Sequence, residues 1–520
     1  MRGCPWKLVL IFLAVGSVTA RGEGPLCDKI DRLIGTRAGD IDTAPLASDA
    51  EFMRRVYLDL AGRIPSRSQT EVFLNDSSPD KRVKLIDALL ASPAHAQRMA
   101  ELLHLILMER RGDNNEWQRY LQASVAGNKP WDELARDILA PNHKDPDRRG
   151  AAFFIGKRLE TYGENPTDFP GLTRDIGRLF LGQDLQCAQC HDHLLIDDYK
   201  QRDFQGLFVV YSKASIEPAS GSWAVTIKSP QSKLEFVSVF DPEKRSTGPR
   251  IPGGKELELP LGEQNQVDLL AAMATEITRP DNALFARNAA NRLWAIMMGR
   301  GLVHPLDLHH RDNPPSHPEL LDLLAAGLID HKFDMKWFLR ELALTQSYQR
   351  SSFWQASVSQ PPPDALFLTA LEKPLTAEQL FASALQATGP ADGVIESRAE
   401  VTKELQDVKS RFLQAFAAEP REVDGEGRET VKGALFLLND AAFLKLLEPQ
   451  PGNLTQRLVE RFEGATFADE LFQSVLSRPP DDEEHREVSE HLKANLGRRE
   501  DAIKELIWAL LASAEFTANH

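Results

Sequence analysis

Cysteine, basic charge and long apolar runs are all scarce in this chain, and each shortage removes a class of protein. Four cysteines in 520 residues are too few for a secreted scaffold held together by disulfides. Acidic side chains outnumber basic ones by 76 to 61, for a formal charge of −15, the wrong sign for a protein that draws its affinity from a phosphate backbone. Nucleic acid is therefore not expected as a partner. The apolar stretch Leu8 to Val15 falls far short of the roughly 20 residues a helix needs to cross a bilayer, so stable membrane insertion is not expected either. No P-loop, GxSxG, HExxH or dinucleotide fingerprint occurs, which leaves the common nucleotide and hydrolase chemistries without a signature. What remains, 42% hydrophobic and 26% charged residues, is an ordinary globular composition in a chain too long for one usual core.

The N-terminus reads as a secretory leader. Arg2 and Lys7 flank the apolar stretch, and Val18-Thr19-Ala20 follows as a small-residue cleavage site, so residues 1–20 are expected to be removed and the product exported to a periplasmic or extracellular space. Cys4 leaves with the leader. Cys27, Cys187 and Cys190 remain, and three thiols cannot all pair with one another.

Helical signals dominate both halves. Ser48-Asp49-Ala50-Glu51 is a capping-box sequence ahead of Phe52, Val56 and Leu60, and Gly62 and Pro65 stop that helix. Further helices are expected from Ser78-Pro79, with Ile86, Leu89 and Leu90 inward, and from Met99 to Met108. Leu172, Ile176, Leu179 and Phe180 mark one face of another. After Tyr211 the pattern changes: Trp223 to Lys228 and Leu234 to Phe240, separated by Ser229-Pro230-Gln231-Ser232, suggest a hairpin. Helix returns over Asp281 to Met298, Ser316 to Ile329 and Met335 to Leu344, with capping boxes at Ser316 to Glu319 and Thr376 to Gln379. The expected fold class is mainly α, two helical domains with a small β-hairpin insert between them: a linker at 21–47, a helical domain at 48–211, a β-rich insert at 212–262 and a second helical domain at 263–520.

Chemistry concentrates in Cys187-Ala188-Gln189-Cys190-His191-Asp192-His193, just beyond the helix that carries Leu172 to Phe180. CxxCH is the spacing at which two thiols form thioethers to haem while the adjacent histidine ligates iron, so Cys187, Cys190 and His191 are the candidate haem c residues. Two alternatives stand beside it: a local disulfide, and a zinc or iron site in which His191 and His193 are the candidate ligands and a remote group completes the shell. A distal ligand is not evident, because no methionine falls between Met108 and Met273; Met297 and Met298 are candidates, with core packing as their other reading. Asp192, Asp197 and Asp198 either orient the histidines or decorate a solvated loop. His304, His309, His310 and His317, around Asp307 and Asp312, are either a second metal site or turn and helix-start residues.

At these residues the chain resembles a planctomycete cytochrome-associated secreted family, in which a PSCyt-type domain of unknown function precedes a PSD-type domain of unknown function. The resemblance runs through Arg54 to Gly62, Leu85 to Ala94 and Arg178 to His193 in the first domain. In the second it runs through Asn291 to Trp294, Gly299 to Val303, Asn313 to Leu321 and the closing helix, Leu506 to His520. It implies haem binding at Cys187, Cys190 and His191, and it supplies no reaction or substrate. Many members carry a separate cytochrome-like domain ahead of the pair, for which the segment before residue 48 is too short. The expected function is an exported haem- or metal-binding protein with a redox or electron-transfer role and a redox partner protein. The alternatives are a metal-dependent oxidoreductase or glycan-processing enzyme, and a non-catalytic scaffold whose cysteines are structural.

Overall fold

The computed structural model describes residues 24–161, 164–219, 222–227, 233–258, 268–354, 360–393, 403–418, 431–461 and 465–520; the expected leader lies outside them. The first helix, α1 (Leu26–Ala38), falls inside the stretch read as a linker, and Ile30 and Ile34 are fully buried. Its inward face, Leu26, Ile30 and Ile34, recurs every four residues, a short helical period among polar neighbours. The helix α2 (Asp49–Ala61) begins where the capping sequence placed it: Ser48 accepts a hydrogen bond from the Glu51 amide at 3.2 Å, and Gly62 ends the helix in the left-handed region at φ 72°. Only half of the capping box forms, since the Glu51 carboxylate is taken by Arg55 at 2.7 Å and by the Ser352 amide at 2.8 Å.

Next come α3 (Arg67–Asn75), α4 (Lys81–Ala91) and α5 (Pro93–Met108). The last starts six residues before Met99, because the Ser92 hydroxyl caps the His95 amide and Pro93 occupies the first turn, where its missing N–H costs nothing. Then follow α6 (Asn115–Ala126), α7 (Trp131–Leu139), α8 (Phe153–Leu159), α9 (Phe169–Leu181) and α10 (Gln201–Tyr211).

The β-rich segment holds two hairpins, not one. β1 (Ala214–Ala219) pairs antiparallel with β2 (Ser222–Ile227), and β3 (Leu234–Ser238) with β4 (Asp241–Thr247). The two stretches expected to pair with each other are β2 and β3, and each takes a different neighbour. β2 is committed to α8: Trp223 stacks on Phe153 with centroids 5.3 Å apart and fills the space beside Gly156, where a Cβ would lie 1.8 Å from the indole. Composition does not mark the partner strands: β1 contains Pro218 and β4 is Asp-Pro-Glu-Lys-Arg-Ser-Thr, poor strand formers.

Beyond the hairpins, α11 (Leu269–Ile277), α12 (Ala283–Met298), α13 (Pro318–Asp330) and α14 (Met335–Leu344) rejoin the first core. One apolar cluster extends from Leu26 to Leu368, while a second gathers Leu375 to Phe516 together with Leu58 and Ile64 of the first part. The apolar packing therefore passes uninterrupted across the β-rich segment and divides near residue 370. At that seam β5 (Lys373–Pro374) pairs with β6 (Ala518–Asn519), and buried Asp59 takes Lys373 at 2.6 Å, Asn519 at 2.8 Å and the Tyr348 hydroxyl at 2.8 Å. The capping box at Thr376 and Gln379 forms in full. The one expected at Ser316 does not, because His317 occupies the N-cap of α13 and its ring turns back to the Ser316 hydroxyl. The fold is mainly α, with 24 α-helices among the described residues and only two-stranded sheets. No described helix is long and apolar enough to cross a membrane.

Candidate haem or metal segment

The helix α9 positions the segment, and it is fixed from both sides. Leu172, Ile176, Leu179 and Phe180 are buried. On its polar face Asp175 is held by Arg158 at 2.7 Å, Arg111 at 2.9 Å and Arg178 at 3.1 Å. Burial pushes the Asp175 carboxyl up, but these guanidiniums outweigh it and hold the pKa below the ordinary value. Arg178 in turn meets Glu109 at 2.6 Å and Asp307 at 3.2 Å, and Asp307 also pairs with Arg292 of α12. Buried charges like these persist only when paired, so the end of α9 is tied to helices from both halves of the chain. Gly182 closes α9 in the left-handed region and turns the chain toward the cysteines.

The CAQC residues form one 3-10 turn, Cys187–Gln189, in which alternate side chains have opposite duties. Ala188 is fully buried in the core, while Gln189 is held by Arg174 at 2.5 Å and, through its carbonyl, by Gln205 at 3.0 Å. Anchored at these two residues, the turn presents both Cys187 and Cys190 outward as exposed free thiols. His191 donates from Nδ1 to the Asp192 carbonyl at 2.7 Å, which leaves the Nε2 lone pair available. His193 has the opposite arrangement: its Nδ1 accepts from the Leu195 amide at 3.2 Å and the Ile196 amide at 2.9 Å, so its proton sits on Nε2 and neither nitrogen offers a lone pair to a metal. It is a turn-stabilising residue. Asp192 likewise serves the fold by accepting the Gln201 amide at 2.8 Å at the start of α10, and Asp198 accepts the Arg311 amide at 2.7 Å.

The β3–β4 tip, which no site expectation included, lies against this turn. The Val239 amide donates to the Cys190 carbonyl at 3.1 Å, and the Phe240 ring packs on His191 with centroids 4.7 Å apart. Val237, Val239 and Phe240 are nevertheless 51 to 67% exposed, and Leu194 and Leu195, which follow the CAQCHDH residues in the chain, are 71 and 86% exposed. The sequence signal for the hairpin tip is the apolar run from Leu234 to Phe240, which has the look of a strand.

Two family models match the chain: PSCyt2, a protein of unknown function (DUF1549), over residues 29–215, and PSD1, a protein of unknown function (DUF1553), over residues 271–492. Their order is the one the sequence motifs implied. The chain belongs to this PSCyt2–PSD1 family. No curated protein and no solved structure matches it.

The PSCyt2 part thus contributes α9, the CAQC turn and the residues around them, and the PSD1 part contributes Asp307 and Arg292, which brace them. The histidines of the PSD1 part do not assemble into a second site. His309 is buried beneath Gly182 with Nε2 3.5 Å from the Asn291 amide, His317 is buried beside Phe367, and His310 packs edge-on against Tyr199 of the PSCyt2 part. Among the described residues no group of three or more His, Cys, Asp or Glu side chains converges on a metal-sized position. Met297 and Met298 are 2 and 6% exposed in the core, and every other described methionine is buried as well, which fits their reading as core packing. Cys27 is buried, and burial pushes its thiol up to about 11, which keeps it protonated and unreactive.

Proposed function

We propose that this PSCyt2–PSD1 protein is an exported haem c protein with an electron-transfer role, its haem held through Cys187, Cys190 and His191. The observation that carries this reading is the commitment of His191 Nδ1 to the Asp192 carbonyl, which leaves the Nε2 lone pair free in the same short segment that exposes two thiols. A backbone acceptor on Nδ1 fixes the tautomer and orientation an axial histidine requires. Three soft or nitrogen donors that stay apart suit a porphyrin, which is gripped at two vinyl carbons and at iron, better than a tetrahedral zinc, which needs four donors converging within about 2.3 Å of one point. The exposed residues Leu194, Leu195, Val237, Val239 and Phe240 would shield the porphyrin face and exclude water from it. Bound haem would supply one-electron exchange; Cys187, Cys190 and His191 would hold it, and the fixed turn would keep them in place.

Residues 1–20 fit this reading as an export leader, because thioether attachment takes place outside the cytoplasm. The test is expression of the full chain with cytochrome c maturation machinery. Wild type is expected to give a haem band that survives denaturing electrophoresis, and Cys187→Ala with Cys190→Ala to give none. In His191→Ala the haem should stay attached while the axial-nitrogen absorption spectrum disappears. A fully exported wild type that carries zinc, or no haem, rejects the proposal.

A further inference from the structure

The turn between β3 and β4 breaks the rule of its type. Ser238 pairs with Asp241, so Val239 and Phe240 are the two residues of the turn. Such turns are ordinarily built from Asn, Asp and Gly, which adopt the required backbone conformations cheaply. Here two large apolar residues stand in their place, and each is 67% exposed. Neither turn chemistry nor burial accounts for them, and local rules are broken mostly where a residue has a task.

What the two residues touch supplies the task. The Val239 amide donates to the Cys190 carbonyl at 3.1 Å, and the Phe240 ring lies on His191 with centroids 4.7 Å apart and planes inclined by 53°. The tip is held there because α10 grips it and the CAQCHDH segment together. Gln201 donates from Nε2 to the Val237 carbonyl at 2.9 Å and from its backbone amide to Asp192 at 2.8 Å. Gln205, one helical turn further on, donates to the Gln189 carbonyl at 3.0 Å. These glutamines are 2 and 8% exposed, so the clamp is set in the interior while the ring it carries is at the surface.

His191 has use for such support. Its ring is half-buried, and the bond from Nδ1 to the Asp192 carbonyl reaches only the next residue. Water can replace a single exposed bond of that kind at little cost, after which the ring is free to turn and to exchange its proton between the two nitrogens. An aromatic ring packed against the imidazole opposes that turning.

We propose that Phe240 is a positioning residue for His191: presented by the clamped β3–β4 turn, it keeps the imidazole against the Asp192 carbonyl, with the proton on Nδ1 and the Nε2 lone pair uncommitted. The use of that lone pair rests on the haem reading above, whereas the orientation itself needs no haem, so the two are tested apart.

The haem-free full chain, labelled with nitrogen-15 histidine, is measured by nuclear magnetic resonance at about pH 8, where an ordinary imidazole is neutral. His191 is assigned by the signals lost in His191→Ala. Wild type is expected to hold the proton mainly on Nδ1. Phe240→Ala should lower the ratio of Nδ1-protonated to Nε2-protonated ring roughly two- to tenfold, the factor that an aromatic pair is worth. Phe240→Tyr, which keeps the ring, should restore the wild-type ratio, and Gln201→Leu, which releases the tip with Phe240 intact, should lower it. Phe240 is exposed, so its variants remain informative if Gln201→Leu melts early by circular dichroism. A ratio that Phe240→Ala leaves unchanged, or that Phe240→Tyr lowers as far as Phe240→Ala does, overturns the proposal. A chain that takes up no haem but shows the expected ratios sinks the haem reading and leaves the positioning role standing.

Discussion

The chain gathers histidines in two stretches, 187–193 and 304–317, and folding takes them to opposite environments. In the first, His191 keeps one ring nitrogen uncommitted at the surface beside two free thiols. In the second, burial lowers His309 and His317 to about 4, with Arg292 beside the former and Arg37 beside the latter. These imidazoles are neutral packing groups at neutral pH. Density of histidine in a sequence thus says little about ligation; the decisive matter is which nitrogen the backbone has already taken.

The largest effect that would test this contrast is acid destabilisation. A histidine near 4 when folded and near 6.5 when unfolded binds fewer protons in the native state, so its contribution is complete above about 6.5 and is lost as pH falls toward 4. His309, His317 and His95, also lowered to about 4 by burial, should together remove several kcal/mol over that window, at roughly 1–3 kcal/mol each. Urea unfolding at pH 7 and pH 5 measures the loss, and His309→Gln with His317→Gln should flatten it. An unchanged midpoint between those pH values would erase the distinction between the two stretches.

A smaller effect is expected where the stretches touch. Gly182, at φ +68°, lies so close to His309 that a Cβ would come 2.6 Å from the ring. Gly182→Ala should cost about 1–3 kcal/mol through backbone strain and overpacking, read from thermal or urea unfolding. Smallest is the change within the first stretch. His193→Ala removes an acceptor from two backbone amides and should cost about 0.5–1.5 kcal/mol while haem staining stays at the wild-type level; loss of staining would make His193 a ligand after all.

Periodicity made much of the helical framework legible. Ser48 and Gly62 bracket α2, and Leu172, Ile176, Leu179 and Phe180 form the buried face of α9, because caps and apolar spacing are local properties. α1 was hidden by its polar surroundings, although Leu26, Ile30 and Ile34 carried the signal. Strand pairing is not legible locally, because the placement of β2 depends on Trp223 meeting Phe153 and Gly156, a contact between distant elements. At the site, the spacing of Cys187, Cys190 and His191 was plain. The commitment of His193 and the packing of Phe240 on His191 depend on where the backbone folds back, which residue type does not encode.

The position of α1 has a consequence for timing. The Cys27 amide donates to the Glu341 carboxylate at 3.0 Å, 314 positions along the chain, and α1 packs against α13 and α14. Wherever the chain folds, α1 can bury its apolar face only once α13 and α14 of the PSD1 part are present, so the N-terminal half cannot close on itself alone.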